Sequence, residues 1–383
     1  MVETRSFPFA VRGAESLAVR AGGLVVTGGL AAAPGGDPLA PAQAMLEALG
    51  SDLPAAARLK AYLADIRSAQ ALRARLPAFP AATSAVGAML PDGVDALVEL
   101  IAGADEPPVR HSSPGGPGVT QLGGLLFCDG AHFDPSSGAE EAGDLRAQAR
   151  QVLGGILGAL APLGAGAGDL VKVNNTAARW HNYGFYNEVY NELLAGANAA
   201  RCSVGGVLEQ PLALVEVDAV AASGGGLRFV DSTMSGVGRT SFSYRDDTVY
   251  LPELGPCKGP HAHGARAGDV VFIAGECPYD AQDRLVGPGD IAAQTRQTLR
   301  NVELSLEALG AGLSDVVRTN VTLSDMRLFE GFDAAYAAAF AGPYPARTVV
   351  GAPLGQYGIL VEIEAIAVIG AGLEGVFLTG EPA

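Results

Sequence analysis

The chain repeats itself, and this repetition constrains its fold more than any other feature of the sequence. The segments 143–174 and 289–320 align without a gap at an offset of 146 residues. Both begin with an aspartate that can cap a helix, continue with apolar residues at helical spacing, and reach a glycine that can end the helix. Self-similarity at a fixed offset is typical of a chain that folds one structural unit more than once.

A third, more divergent copy lies at the front of the chain. "RAGGLVVTGGLAAAPGG", from Arg20, repeats the strand and turn of the other copies, and its helix is shortened to about residues 38–49. Each copy predicts the order strand, strand, helix, strand, helix, strand, which is typical of an α+β fold with one layer of helices on a mixed sheet. We divide the chain into unit one (1–106), unit two (107–222), a Gly-rich linker with a hairpin predicted in "GRTSFSYRDDTVYL" (223–258), and unit three (259–383).

The composition argues against several classes of protein. The formal net charge is −16, so a basic surface for nucleic acid is not expected. No run of about 18 apolar residues occurs without a charge, a proline or repeated glycines, and the N-terminus has no apolar signal segment. The four cysteines have no CxxC spacing, which argues against a zinc site or a disulfide framework. We therefore expect a cytoplasmic protein without a membrane span.

Two further motifs do not predict a bound group. His261 and His263 have a spacing that could share a metal, but no third ligand is identifiable. "GAGAGD" at 164–169 follows a helix and precedes a strand, which is the reverse of a dinucleotide-binding loop. The sequence therefore predicts neither a metal nor a cofactor.

Units two and three share a set of charged residues at one spacing. In each unit an arginine precedes the first acid of an acid-x-acid strand by fifteen residues. These residues are Arg201 with Glu216 and Asp218, and Arg347 with Glu362 and Glu364. Both acids of a pair lie on one face of a strand, where neighbouring carboxylates raise each other's pKa and can supply a base near neutral pH. An arginine binds a carboxylate through two hydrogen bonds, so the set favours a catalytic site, with an interface strand held by ordinary salt bridges as the alternative.

Unit one has lost most of this charged set. We align Ala82 with the arginine position, Glu99 with the first acid after two extra residues, and Ile101 with the second acid. The fold signals of unit one remain although its polar residues differ. This contrast indicates that folding does not require the charged set.

Four segments of unit three carry a family resemblance: "VVFIAGECP", "QTRQTLRNVELSLEALGAGLSDVVRTNVTLSDMRLFEGFDAAYAAAF", "YPARTVV" and "VEIEAIAV". Together they resemble the Rid family, the YjgF-like reactive intermediate deaminases, and unit two is a more divergent match. The resemblance implies a chorismate-mutase-like α+β unit. For three units in one chain it implies a pseudo-trimer with a central sheet barrel, outer helices and sites between units. It also implies cofactor-independent hydrolysis of 2-imino or enamino acids to 2-oxo acids and ammonia.

The resemblance also assigns site residues. The arginine that binds the substrate carboxylate corresponds to Arg347 and Arg201, and the glutamate that positions the water corresponds to Glu362 and Glu216. Further substrate contacts are expected from the early-strand glycines, the position of a family tyrosine, residues near the arginines and an aromatic-rich segment. The residues of this second group are Gly275, Gly130, His261, Tyr336, Thr348, Ser203, Cys277, Trp180 and His181.

Two other functions remain open at this point. A chorismatase-like enzyme that releases pyruvate from chorismate would also be a single-chain pseudo-trimer, although no cysteine or extra basic residue is identifiable beside Glu362 for a dicarboxylate. A non-catalytic protein that binds a ligand or regulates a partner is the third hypothesis. We expect a small-molecule carboxylate substrate, at most two working sites among the three interfaces, and a monomeric pseudo-trimer whose further pairing stays open.

Overall fold

The computed structural model describes residues 2–11, 15–31, 36–74, 81–113, 116–137, 143–180, 183–194, 196–232 and 247–382. The elements of unit one are β1 (Glu3–Val11), β2 (Ala18–Ala21), β3 (Leu24–Thr27), β4 (Leu30–Ala31), α1 (Ala40–Ala48), β5 (Ala56–Leu63), α2 (Ala69–Arg73), β6 (Ala82–Gly87) and β7 (Ala96–Gly103). Those of unit two are β8 (Val109–His111), β9 (Val119–Leu122), β10 (Leu125–His132), α3 (Leu145–Leu160), β11 (Leu170–Ala177), α4 (Tyr183–Leu193), β12 (Ala200–Gly205), β13 (Val207–Leu208) and β14 (Val215–Ala222). The rest of the chain forms β15 (Arg228–Asp231), β16 (Thr248–Tyr250), β17 (Gly264–Ala267), β18 (Val270–Ile273), α5 (Ile291–Ala308), β19 (Val316–Leu323), α6 (Phe329–Ala337), β20 (Ala346–Gly351), β21 (Val361–Val368), α7 (Ala371–Glu374) and β22 (Val376–Pro382).

The same five-stranded core occurs in all three units. The spatial orders are β2-β3-β7-β5-β6, β9-β10-β14-β11-β12 and β17-β18-β21-β19-β20. The middle strand of each core is antiparallel to both of its neighbours, and the last two strands pair in parallel. This recurrence confirms the α+β class and the three tandem units predicted from the sequence.

The predicted order of elements lacks one strand in each unit. β6, β12 and β20 lie between the second helix and the acid-bearing strand, and each pairs in parallel with the strand before that helix. Arg201 and Arg347 are therefore strand residues. The apolar segments after these arginines are only a few residues long, and such short segments become strands when a neighbouring strand supplies their hydrogen bonds.

The helices begin and end where the sequence signals predict. The carboxylates of Asp144 and Asp290 accept hydrogen bonds from backbone N–H groups of the first turns of α3 and α5. After these helices the chain turns at Gly164 and Gly310, whose φ angles of 75° and 81° a residue with a side chain rarely adopts. The shortened helix of unit one is also observed, since α1 has 9 residues against 16 in α3 and 18 in α5. Within the described ranges, no helix is both long and apolar enough to cross a membrane.

Each sheet has an outer and an inner face, and both are buried. The outer faces pack against their own helices in separate clusters, for example Leu153 of α3 with Val217 of β14. The inner faces of all three sheets meet in one cluster, to which Val26, Phe127 and Phe272 each contribute from a different unit. The three units therefore share one core. The closed central barrel stays a prediction.

The chain departs from its predicted division at two places. β22, at the end of the chain, pairs with β1 and β2 and so joins the sheet of unit one. In the segment between units two and three, β15 and β16 join the sheet of unit three and pair with each other in parallel. Residues 233–246, which hold most of the predicted hairpin, lie outside the described residues.

Candidate active site

The pairing of strands fixes which residues are equivalent in the three units. The parallel ladders begin at Ala82, Ala200 and Ala346, so these three alanines are equivalent. The next residue along each strand is Thr83, Arg201 or Arg347. Thr83, and not Ala82, therefore occupies the arginine position of unit one, one residue away from the sequence alignment.

The acids of unit one also need a correction. In the antiparallel ladders Lys60 pairs with Glu99 at the register where Asn320 pairs with Glu364. Glu99 is thus the equivalent of the second acid, and Leu97 occupies the position of the first. The predicted two-residue insertion is wrong, because Leu97 follows Thr83 by 14 residues, one fewer than the 15 between Arg347 and Glu362.

The second acid of each unit forms a buried ion pair with the preceding unit. Arg58 Nη2 lies 2.9 Å from Asp218 Oδ1, Lys172 Nζ lies 2.6 Å from Glu364 Oε2, and Arg318 Nη2 lies 3.2 Å from Glu99 Oε1. These three pairs form what we call the ion-pair ring, with one pair at each interface. Unit one lacks the first acid, but its second acid, Glu99, still takes part in the ring. The second acids therefore join neighbouring units whether or not a first acid is present.

The first acid and the arginine come together from different units. Gly275 N–H donates to the carbonyl of Arg201 at 3.0 Å, and the thiol of Cys202 donates to Glu362 Oε1 at 3.2 Å. Arg201 of unit two and Glu362 of unit three line one cavity of about 190 Å³. Spacing along the chain groups Arg347 with Glu362 and Arg201 with Glu216, whereas neither Arg347 nor Glu216 lines this cavity.

The other two interfaces each lack one member of the pair. At the interface of units three and one, Gly29 N–H donates to the carbonyl of Arg347, and Leu97 stands where the acid would be. At the interface of units one and two, Ser84 Oγ donates to Glu216 Oε1 at 2.7 Å, and Thr83 stands where the arginine would be. One interface of the three therefore combines an arginine at this strand position with a first acid.

The two arginines have different partners. Arg347, whose side chain is 0% exposed, pairs with Glu15 of unit one and with Asp333 of its own unit, at 3.3 and 2.8 Å. Arg201 instead donates to the amide oxygen of Asn187 at 2.9 Å, and Asn187 is the equivalent of Asp333 in the repeat. Among the described residues, Arg201 has no acidic partner, so its charge is available to a ligand.

Burial makes Glu362 a base suited to neutral pH. Removal from water raises the pKa of its carboxyl to about 7, an effect strengthened by Glu364 and opposed by the hydrogen bond from Cys202. The carboxylate can lie this deep because Gly275 has no side chain, since a Cβ there would stand 1.9 Å from Glu362 Oε1. A carboxyl with such a pKa is partly ionised at neutral pH and can accept a proton from water.

The predicted site residues divide into three groups. The cavity is lined by Arg201, Glu362, Gly275, Cys277, His261, Ser203 and Trp180. The residues that do not line it are Arg347, Glu216, Gly130, Tyr336 and Thr348. His181 lies outside the described residues. Most of the second group sits at the interfaces with unit one, where Thr348 donates to Glu99 and Gly130 lies against Glu216. Tyr336 is instead buried in the core of unit three and pairs with Thr319 of the same unit.

Several lining residues were missed by the sequence analysis. They are Lys258, Tyr183, Tyr279, Asn301 and Gln356. Cys202 beside Glu362 was also missed, although it directly follows the arginine. Contrary to the expectation from the sequence, a cysteine contacts Glu362 and an extra basic residue, Lys258, lines the same cavity. A comparison of the repeats could have pointed to Cys202, because the residues at the same strand position are Ser84 in unit one and Thr348 in unit three.

The cysteines and histidines of the cavity are held by their neighbours. Burial and the nearby Glu362 raise the pKa of the Cys277 thiol well above its usual value, which disfavours the nucleophilic thiolate. His263 contacts Glu276 and the carbonyl of Gly255. In the part of the chain that the structure describes, no group of three or more acidic, cysteine or histidine side chains is arranged to hold a metal.

Some known proteins match single units of the chain, and another matches most of its length. The family model described as endoribonuclease L-PSP matches residues 117–223 and 255–369. A RutC family protein of Pyrococcus horikoshii is 41% identical over 109 residues, which is 28% of this chain and 86% of that protein. A protein of Escherichia coli K12 named 2-iminobutanoate/2-iminopropanoate deaminase is 36% identical over 113 residues, or 29% of this chain and 88% of that protein.

A solved chorismatase resembles the chain over most of its length. The likeness covers 82% of this chain and 93% of the chorismatase, with a TM-score of 0.57 and 16% sequence identity, so it concerns the fold alone. The family model, in contrast, matches more than half of the chain, in units two and three. The chain therefore belongs to the endoribonuclease L-PSP family, which is the Rid family that its sequence resembles.

Proposed function

We propose that the protein hydrolyses a 2-imino or enamino acid to a carbonyl product and ammonia, at one site between units two and three. The observation that carries this proposal is the meeting of Arg201 and Glu362, from different units, in one cavity. The name of the Escherichia coli relative agrees with this chemistry. The proposed site needs no cofactor, because an iminium carbon is already electrophilic.

Each residue has a separate step in this reaction. Arg201 binds the substrate carboxylate and so fixes the position of the imine carbon. Glu362 accepts a proton from water as the water oxygen bonds to that carbon. The proton passes to the nitrogen and the carbon–nitrogen bond breaks. Glu362 accepts the hydroxyl proton as the carbonyl forms and passes it to the departing ammonia. Ammonia and a 2-oxo acid are the products.

The walls of the cavity favour a substrate with a sizeable apolar or unsaturated group. Trp180 and Tyr183 of unit two and Tyr279 of unit three line it, in a chain with only 6% aromatic residues. Trp180 and Tyr183 pack edge to face with ring centroids 4.8 Å apart. A cavity of about 150 Å³ accommodates benzene, so this cavity of about 190 Å³ has room for more than a two- or three-carbon side chain.

The proposal predicts ammonia release that depends on pH. The protein should release ammonia from freshly generated 2-iminopropanoate, or from imino acids with larger side chains, faster than buffer does. Because the pKa of Glu362 is raised to about 7, the base is protonated below that pH. The turnover number should therefore rise as the pH increases through about 7 and level off above it. Ammonia release no faster than in buffer across this substrate series would contradict the proposal.

Exchanging the two arginines for lysine tests the choice of interface. Arg201→Lys keeps the charge but loses one of two charge-assisted hydrogen bonds, so KM should rise roughly tenfold. Arg347→Lys is the matched control, since Arg347 already pairs with Glu15 and Asp333, and its KM should stay close to that of the wild type. Steady-state kinetics with the best imino acid measures both. A rise in KM only for Arg347→Lys would place the substrate at the other interface.

A chorismatase-like reaction is the second candidate, and Lys258 favours it. Lys258 gives the cavity a second cation besides Arg201, as a dicarboxylate would require. Its ammonium also lies 4.1 Å from the Tyr279 ring centroid and pairs with Asp283. Pyruvate release from chorismate, assayed beside ammonia release from imino acids, separates the two candidates. Pyruvate without ammonia favours the chorismatase-like reaction.

A further inference from the structure

A buried charged pair lines the cavity without a part in the reaction above. His263 Nδ1 is 2.8 Å from Glu276 Oε1, and His263 Nε2 is 3.0 Å from the carbonyl oxygen of Gly255. His263 and Glu276 are 6% and 4% exposed. Burial alone would lower the pKa of His263, but Cys257 and Glu276 raise it well above its usual value.

The pair is connected to Glu362 through the backbone. Glu276 and Ile363 exchange backbone hydrogen bonds at 2.9 and 3.0 Å, and Ile363 directly follows Glu362 in β21. The residue before Glu276 is Gly275, whose N–H donates to the carbonyl of Arg201. A shift of Glu276 would therefore displace the backbone on which both reacting groups rest.

The pair is connected to Arg201 through a loop. We call residues 251–263 the cavity loop, because Gly255 and Lys258 within it line the cavity. The hydrogen bond from His263 to Gly255 closes this loop on itself. Gly259 of the loop packs so closely on the guanidinium that a Cβ there would lie 2.0 Å from Arg201 Nη2. The position of the loop thus sets the space around the arginine.

The repeat supplies an internal comparison for this pair. The hydrogen bond from Ala274 N–H to the carbonyl of His263 recurs as Gly28 to Leu17 in unit one and as Asp129 to Gly118 in unit two. By this register the equivalents of His263 and Glu276 are Leu17 and Leu30 in unit one, and Gly118 and Ala131 in unit two. Leu17 and Leu30 are both buried in one apolar cluster.

The fold therefore does not need a charged pair at these positions. Two leucines occupy them in unit one, and a buried ion pair is often no more stabilising than apolar residues of similar volume. The charged pair occurs only in the unit that supplies the glutamate of the complete site. A charged pair that folding does not need, kept in the one unit that supplies this glutamate, points to a part in function.

We propose that His263 and Glu276 are positioning residues, which hold the cavity loop and the turn at Gly275 in the geometry that Arg201 and Glu362 require. This inference rests on the proposed function for its kinetic readout. Glu276 fixes the backbone beside Glu362, and His263 fixes the loop beside Arg201. Neither side chain takes a proton from the substrate in this arrangement.

The double variant His263→Leu/Glu276→Leu, which copies unit one, tests the inference. We expect a melting temperature equal to that of the wild type or higher, and a fall in kcat/KM of about tenfold or more, because small displacements of reacting groups are costly. Glu276→Gln is the conservative control. Its amide can donate to His263 Nδ1 while Nε2–H still donates to Gly255, so it should keep activity within about threefold of wild type. Wild-type activity in the double-leucine variant would overturn the inference.

Two further measurements keep the test decisive. If the double-leucine protein does not fold, Glu276→Ala and Glu276→Gln form the pair to compare, and equal activities would overturn the inference. If the wild type releases no ammonia, the proposed function fails, and the affinity for 2-oxobutanoate measured by calorimetry replaces the kinetics. Weaker binding in the double-leucine protein, with binding retained in Glu276→Gln, supports positioning, and equal binding in all three proteins rejects it.

Discussion

Replacement of Glu362 by glutamine should lower the turnover number by about two orders of magnitude, because the variant keeps the shape of the side chain but cannot accept a proton. Glu216→Gln should stay close to wild type. Glu216 is the equivalent acid of unit two, it is as deeply buried, and burial raises its pKa to about 7 as well. It differs in that Thr83 occupies the strand position that Arg201 occupies at the other interface. Steady-state ammonia release at pH 8 measures both variants.

The comparison is fair because both variants should affect stability in the same way. The folded chain binds a proton on each carboxyl more tightly than the unfolded chain does, since both pKa values are raised. The stabilisation of the folded state by these tightly bound protons is full below the ordinary pKa of glutamate and is lost as the pH rises through about 7. Glutamine removes this dependence at either position. Equal loss of activity in Glu362→Gln and Glu216→Gln would show that the arginine does not select the working acid.

Much of the fold could be predicted from the sequence because its causes are local. Asp144 and Asp290 cap their helices through contacts within one turn. The period of two along β21 places Glu362 and Glu364 on one face, opposite the apolar residues that pack on the helices. The repeat then extends each local prediction to the other units.

The composition of the site could not be predicted because it depends on contacts between units. Spacing along the chain links Arg347 with Glu362, whereas the sheets bring Arg201 to Glu362 across an interface. The pairing of Arg347 with Glu15 spans more than three hundred residues and has no local signal. The misplaced Glu99 has a different cause, since an assumed insertion shifted it by two residues and left it on the same face of the strand.

Fusion of three units in one chain explains how the interfaces could become different. In a symmetric trimer, every interface must contain the same residues. Here one interface keeps an arginine and an acid, a second has its arginine paired with Glu15, and a third has threonine at the arginine position. The ion-pair ring, in contrast, is present at all three interfaces. Residues retained three times are those that the assembly of the units needs.

The ion-pair ring should accordingly contribute to stability rather than to catalysis. Burial alone would raise the pKa of Asp218, but Arg58 and Lys60 lower it to about 2. Its stabilising contribution is therefore full above the ordinary pKa of aspartate and is lost as the pH falls toward 2. Asp218→Ala leaves Arg58 and Lys60 buried with one carboxylate fewer, so the free energy of unfolding should fall by about 3–5 kcal/mol.

A matched pair of further variants separates charge from packing in the ring. Glu192→Ala removes one partner of the exposed pair with Arg150 and should leave the denaturation midpoint unchanged. Arg58→Met/Asp218→Leu replaces a buried pair by apolar side chains and should recover much of the stability that Asp218→Ala loses, because the buried guanidinium is removed together with its carboxylate. Denaturant unfolding of all three variants at pH 7 measures these differences. If Asp218→Ala were as stable as Glu192→Ala, the ring would not hold the units together. Unit one has Thr83 and Leu97 at the positions of Arg201 and Glu362. The presence of the ring in that unit would then need a cause other than assembly.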